Sequence, residues 1–128
     1  MFDLYASRVE RLFGESPVVV SYSLNAVSAS PSTGYVEGEA VFVNGSRLVF
    51  FEFLRRSGTR LDREKYRYHF MDSRNRLIFR YDNAPHHPQV STFPHHKHLP
   101  GGVVESPAPD IAGVLGEIEE YVLGISRS

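Results

Sequence analysis

No cysteine occurs in the 128 residues, which excludes disulfides, a thiolate nucleophile and cysteine-ligated zinc. No apolar run approaches the roughly 18 residues a membrane helix needs. The N-terminal MFDLYASRVERLFGES lacks the basic stretch and apolar block of a secretion signal. Together these absences set a cytoplasmic location, away from membranes, as the expectation. Hydrophobic residues make up 41% and charged residues 23%, an ordinary globular balance that argues against a disordered chain. The length is near the mode for one domain, so a single domain over 1–128 is expected. There is no internal repeat and no low-complexity tract.

The net charge of −1 hides a strong asymmetry. Nine of the 14 Lys and Arg fall between Arg55 and Arg80, opposed there only by Asp62, Glu64 and Asp72. That segment therefore carries +6, against −3 for residues 1–54 and −4 for 81–128. A charge run of this kind commonly solubilises an exposed strand end, or guards a sheet edge against aggregation. Its functional alternative is a phosphate-binding patch, in which Arg63 and Lys65 would take part. Five of the six His lie between His86 and His98, and the sixth is His69.

Apolar spacing predicts a short amphipathic helix over 3–13, ended by Gly14. Alternation then predicts strands at about 18–28, 35–43 and 46–56. Asn44-Gly45 suits a two-residue type I′ turn, because both residues tolerate positive φ. A second hairpin is expected around Asp72-Ser73-Arg74-Asn75, joining strands at about 65–72 and 75–82. Prolines and Gly101-Gly102 make 83–106 read as a long irregular loop. A final helix is predicted over about 109–124, with Pro109 or Asp110 in its first turn. The expected fold is α+β: an antiparallel sheet of about five strands, two terminal helices on one face, and a long His-rich loop.

With Ser73 and Arg74 as central turn residues, Phe70 would oppose Leu77, Tyr68 would oppose Phe79, and Tyr66 would oppose Tyr81. That face reads as core. The other face would pair Met71 with Arg76, His69 with Ile78, Arg67 with Arg80, and Lys65 with Asp82. A one-residue slip would turn the aromatic residues outward, which supports this register. Like charges directly opposed are unfavourable. Arg67 and Arg80 would either snorkel apart into water or share an anion. Glu52, a carboxylate inside LVFFEFL, is a candidate partner for Arg67, Arg80 or His69.

The segment LIFRYDNAPHHPQVSTFPHHKHL admits several chemistries. Neutral imidazole is a common metal ligand, and His96 and His98 would share a side if locally extended. Adjacent His pairs seldom aim at one ion, however, and no acidic residue lies between His86 and His98, so no metal and no cofactor are expected. A structural reading has the rings pinning an irregular loop to backbone. The catalytic reading is general acid–base work near neutrality. RNA cleavage by its own 2′-OH needs one proton acceptor, one proton donor and a cation on the phosphoryl oxygens. His69, His86, His87, His95, His96 and His98 are the candidates for proton transfer, with Arg67, Arg80 and Lys97 to steady the charge.

Three blocks in this region resemble the TumE family of toxins from prokaryotic type II toxin–antitoxin pairs. They are YRYHFMD (66–72), LIFRYDNAPHHP (77–88) and STFPHHKHLP (91–100), followed by VES and a helix ending in EIEEY. The likeness covers roughly 64–121; residues 1–60 carry no matching motif. Matching positions include Tyr66, Arg67, Tyr68, His69, Arg80, Tyr81, Asp82, Asn83, His86, His87, His95, His96, Lys97 and His98. Tyr66, Tyr68 and Tyr81 read as core, and Asp82 and Asn83 as turn residues bonding backbone before Pro85. The resemblance implies a toxin neutralised by an antitoxin with a DNA-binding helix-turn-helix. Ribonuclease action follows by analogy only. The leading expectation is thus a metal-independent ribonuclease acting on RNA, with Arg63, Lys65, Asp82 and Lys97 as binding residues. Alternatives are a non-enzymatic inhibitor that binds nucleic acid or protein, and a metal-binding protein with a His loop. An exposed strand edge would permit a homodimer.

Overall fold

The structure, a computed structural model, describes residues 2–125. Helix α1 (Phe2–Glu15) is followed by β1 (Val19–Ser28), β2 (Thr33–Phe42), β3 (Arg47–Ser57), β4 (Arg60–Met71), β5 (Leu77–Asp82), β6 (His96–Leu99), β7 (Gly102–Glu105) and α2 (Ile111–Leu123). All seven strands form one antiparallel sheet in sequence order. The expected α+β class stands, with seven strands in place of five. The extra pair comes from the segment read as a loop. His96–Leu99 pairs with β5 and turns at Pro100-Gly101 into β7, so His96 and His98 are strand residues. Proline and glycine density concealed strands of only four residues each.

Both helices pack on one sheet face. Val9 and Phe13 of α1 and Ile111, Val114, Leu115 and Ile118 of α2 close over Val36, Ala40, Phe42, Leu48, Phe50, Leu54, Tyr66, Tyr68, Phe70, Phe79 and Tyr81. Each large apolar side chain buried in this way contributes about 1.5–3 kcal/mol relative to exposure. Asp110 caps α2 from outside, its carboxylate accepting from Gly113 N at 2.7 Å, and Gly124 ends the helix at positive φ. The opposite sheet face is left without a covering helix.

Turn chemistry departs from expectation at Asn44-Gly45. Only Gly45 has positive φ (84°); its N–H bonds Phe42 O, which makes Val43 and Asn44 the central turn residues. The second hairpin turns the same way: Ser73 and Arg74 are central as expected, and Asn75 takes positive φ (63°) as an added residue. A bulge between Phe70 and Met71 adds another residue on β5. The register therefore moves by two. Phe70 opposes Phe79, Tyr68 opposes Tyr81, His69 opposes Arg80, and Arg67 opposes Asp82. Two single-residue slips restore the same faces. The aromatic side stays in the core and Arg67, His69 and Arg80 stay on the uncovered face, but Arg67 and Arg80 are not opposed. A carboxylate faces one and an imidazole the other, which removes the expected like-charge conflict.

Candidate functional site

The period of two along each strand sorts the site residues. On β5, Arg80 and Asp82 point to the uncovered face while Phe79 and Tyr81 enter the core. On β6, His98 pairs with Arg80 and His96 with Asp82. Four polar side chains thus meet on one face, and Asp82 is their hub. Its Oδ1 lies 2.9 Å from His96 Nε2 and accepts from Ala84 N at 3.0 Å. Its Oδ2 lies 3.3 Å from His98 Nε2 and accepts from Arg80 Nε at 3.1 Å. The second Arg80 nitrogen pair brings Nη2 to 3.2 Å from His98 Nε2. His87, from the segment after β5, adds a third ring, with centroids 4.9 Å from His96 and 5.3 Å from His98. Asp82 and His96 are buried, while Arg80 and His98 keep partial access to solvent.

Proton positions in this cluster follow from geometry. His96 Nδ1 lies 2.8 Å from the Pro94 carbonyl, so that nitrogen donates. His96 Nε2 then faces Asp82 Oδ1 and, at 3.0 Å, His98 Nε2. Such a meeting of acceptor-type atoms is favourable only with a proton or a cation among them. Burial, and next the Arg80 guanidinium, pull His98 below the ordinary imidazole value, against the opposing pull of Asp82. His69 is lowered likewise by burial, Arg80 and Arg67. Both rings are therefore neutral bases near pH 7.

The remaining candidates divide. Arg67 lies exposed on the same face, across from Asp82, and His69 lies beside Arg80. Lys65 is exposed farther along β4. His86 is exposed in the segment after β5, and its side chain makes no hydrogen bond, ion pair or ring contact with the cluster among the described residues. Lys97 and His95 leave the site altogether. Lys97 alternates to the covered face, where its Nζ bonds Glu117 at 2.8 Å and lies over the rings of Phe79 and Tyr81. His95 stacks on Tyr66, its Nδ1 2.9 Å from the Tyr66 hydroxyl. Arg63 is also on the covered face, because a bulge at Glu64 reverses the alternation there. Its Nη1 donates to Tyr68 Oη at 2.6 Å and lies 3.7 Å from Glu52. Glu52 was expected to meet Arg67, Arg80 or His69. It lies instead on the helix side, held by Tyr5 and Tyr68 hydroxyls. Strand parity separates it from those three residues.

Asp82 carries more of the site than its turn-residue reading suggests. It does bond backbone before Pro85, as does Asn83, whose Oδ1 accepts from Tyr66 N. The signal for its larger role was its even spacing from Arg80, which puts both on one face. The basic run is largely neutralised locally: Arg55 pairs with Glu64, Arg60 with Asp62, Arg63 with Glu52 and Arg76 with Asp72. Among the described residues, Arg56, Lys65, Arg67 and Arg74 carry no ion pair.

An imidazole–carboxylate–guanidinium cluster on the bare face of a helix-backed antiparallel sheet suits proton transfer beside an anion. The family model described as Toxin TumE matches residues 9–123, reaching well beyond the 64–121 region into α1 and the first three strands. The chain belongs to the TumE toxin family. It is accordingly a toxin of a toxin–antitoxin system, with an antitoxin as partner. No curated protein and no solved structure matches the chain. Among the described residues, no helix is long and apolar enough to cross a membrane.

Proposed function

We propose that this toxin is a single-domain cytoplasmic ribonuclease that cleaves RNA at the face formed by Arg67, His69, Arg80, Asp82, His96 and His98, without a metal ion. The convergence of Arg80, Asp82 and His98 carries this reading: His98 Nε2 lies within 3.3 Å of both a guanidinium and a carboxylate, with solvent access. His98, kept neutral, takes the proton of the RNA 2′-OH. The 2′-oxygen attacks phosphorus, the P–O5′ bond breaks, and the 5′-oxygen leaves as a hydroxyl after gaining a proton from an imidazolium or water. Arg80 and Arg67 hold the phosphoryl oxygens. Asp82 and His96, both buried, are positioning residues that fix the His98 ring and the Arg80 fork.

The antitoxin is proposed to be a helix-turn-helix protein, as the family resemblance implies. A homodimer through β1 is supported by the edge position of that strand, where Val20 and Tyr22 are exposed.

Purified protein incubated with RNA, with and without chelator, tests the reaction. Cleavage unchanged by chelator is expected, yielding 2′,3′-cyclic phosphate and 5′-hydroxyl ends. Folded His98→Ala should be slower by about 10²–10⁴-fold, the worth of a positioned acid or base. A folded His98→Ala that cleaves at the wild-type rate overturns this mechanism. RNA binding without cleavage would transfer the function to occupancy.

A further inference from the structure

Three imidazoles reach one point from two separate segments. Ligand-type atoms of His87, His96 and His98 all lie within 4.8 Å of one another. Two nitrogens on one tetrahedral zinc ion, each at about 2.0–2.1 Å, stand roughly 3.3 Å apart. His96 Nε2 and His98 Nε2 are already 3.0 Å apart. The Asp82 carboxylate spans both, at 2.9 and 3.3 Å. One ring is also anchored from behind. Pro94 O accepts from His96 Nδ1 at 2.8 Å. A backbone carbonyl that accepts the second ring N–H in this way orients a metal-binding histidine. His96 is 1% exposed, so its orientation is set by packing.

We propose that His87, His96, His98 and Asp82 bind one borderline divalent transition metal ion of the zinc type, and that its occupancy inhibits the toxin. Three nitrogens and one carboxylate favour zinc and its neighbours over magnesium or calcium, which prefer all-oxygen shells. The ion resolves the meeting of acceptor atoms at His96 Nε2. Binding stands on this geometry alone. Inhibition rests on the ribonuclease reading, because the ion takes the His98 lone pair that would receive the 2′-OH proton. Arg80 opposes the ion, its Nη2 being 3.2 Å from His98 Nε2. Metal binding and Arg80 are therefore antagonistic.

Cobalt(II) titration of the full chain, read by visible absorption and followed by zinc competition, tests the site. One equivalent with the strong bands of four-coordinate cobalt, displaced by zinc, is expected. His87→Ala and His98→Ala, each checked for folding by circular dichroism, should bind more than about 100-fold weaker, beyond the 10–100-fold typical of outer-shell partners. Arg80→Gln should bind several-fold tighter, a gain that simple loss of structure would not produce. Equal affinity in wild type and both folded His variants, or weak six-coordinate absorption, overturns the site. In RNA cleavage, zinc inhibition should have the same midpoint as binding; stimulation overturns the inhibitory role. If the metal-free protein does not cleave RNA, the ribonuclease reading and the inhibitory clause fail together, and the cobalt titration still decides the site.

Discussion

Tyr68 donates its hydroxyl to Glu52 in the middle of the helix-covered face, and neither side chain has measurable exposure. A second hydroxyl, that of Tyr5, reaches the other carboxylate oxygen at 2.7 Å and ties α1 to β3. Arg63 supplies the counter-charge at 3.7 Å and stacks over Tyr66, 4.4 Å from its centroid. A buried carboxylate is tolerable only with such partners.

Replacing Glu52 by Gln should therefore destabilise the fold by about 1–3 kcal/mol, as charge-assisted hydrogen bonds become neutral ones and Arg63 loses its counter-charge. Urea unfolding measures this. A loss below about 0.5 kcal/mol, the scale of an ordinary surface change, would show that the carboxylate is not needed.

Alkaline pH should weaken the fold. Burial raises Tyr66 to about 12, although Arg63 pulls the other way. Burial and then Glu52 raise Tyr5 and Tyr68 still further. A raised pKa means that the folded state holds the proton more tightly than the unfolded chain, whose tyrosines titrate near 10. The stability is whole below about pH 10 and declines as pH rises through about 12 for Tyr66. Tyr66→Phe should flatten the part of the stability curve between these values in denaturant melts. An unchanged slope would remove Tyr66 as its source.

Acid should act through the open face. Both His69 and His98 are lowered, so they contribute stability that is present above the unfolded imidazole value, about 6.5, and lost as pH falls through their folded values. On the proposed mechanism, the same titration of His98 should place the acid limb of RNA cleavage below about pH 6.5. In Arg80→Gln that limb should move up, because the guanidinium no longer opposes protonation. A limb that stays fixed, in a variant that retains measurable cleavage, would mean that His98 is not the titrating base.

Growth inhibition should separate the histidines by face. His98→Ala and Arg80→Ala should abolish toxicity in folded protein. His86→Ala, at an exposed residue without a hydrogen bond to the cluster, should retain it. His95→Ala should act only through lower thermal stability, since it removes the Tyr66 contact. Induced-expression growth assays paired with thermal melts check all four. Full toxicity in folded His98→Ala with loss in His86→Ala would reverse the assignment.

Gly38→Ala should be poorly tolerated. A Cβ there would lie 2.2 Å from the Ser23 carbonyl and 3.2 Å from a Phe50 ring atom, so β1 would have to shift. Overpacking of this kind typically costs about 1–3 kcal/mol. Retained stability would mean that the β1 edge moves freely.

Local pattern determined much of this protein. Helical spacing placed α1 and α2 within one or two residues at most of their ends, and alternation placed β1, β2 and β3 nearly as well. The division of β4 and β5 into an aromatic core side and an Arg67, His69, Arg80 side was also legible, because a period of two survives a register error of two. The extra residues at Asn75 and in the β5 bulge were not legible, and they decided which residues face one another. The tertiary structure alone assigned the histidines. In HHKHL, three rings and one lysine could have pointed anywhere while the segment read as loop. Pairing of β6 with β5 set His96 against Asp82 and His98 against Arg80, and sent Lys97 to Glu117. That pairing joins residues some 14–18 positions apart, and no local propensity encodes it. Glu52 shows the same division: its burial followed from LVFFEFL, but its partners depended on a bulge at Glu64 and on the N-terminal helix, 47 positions away.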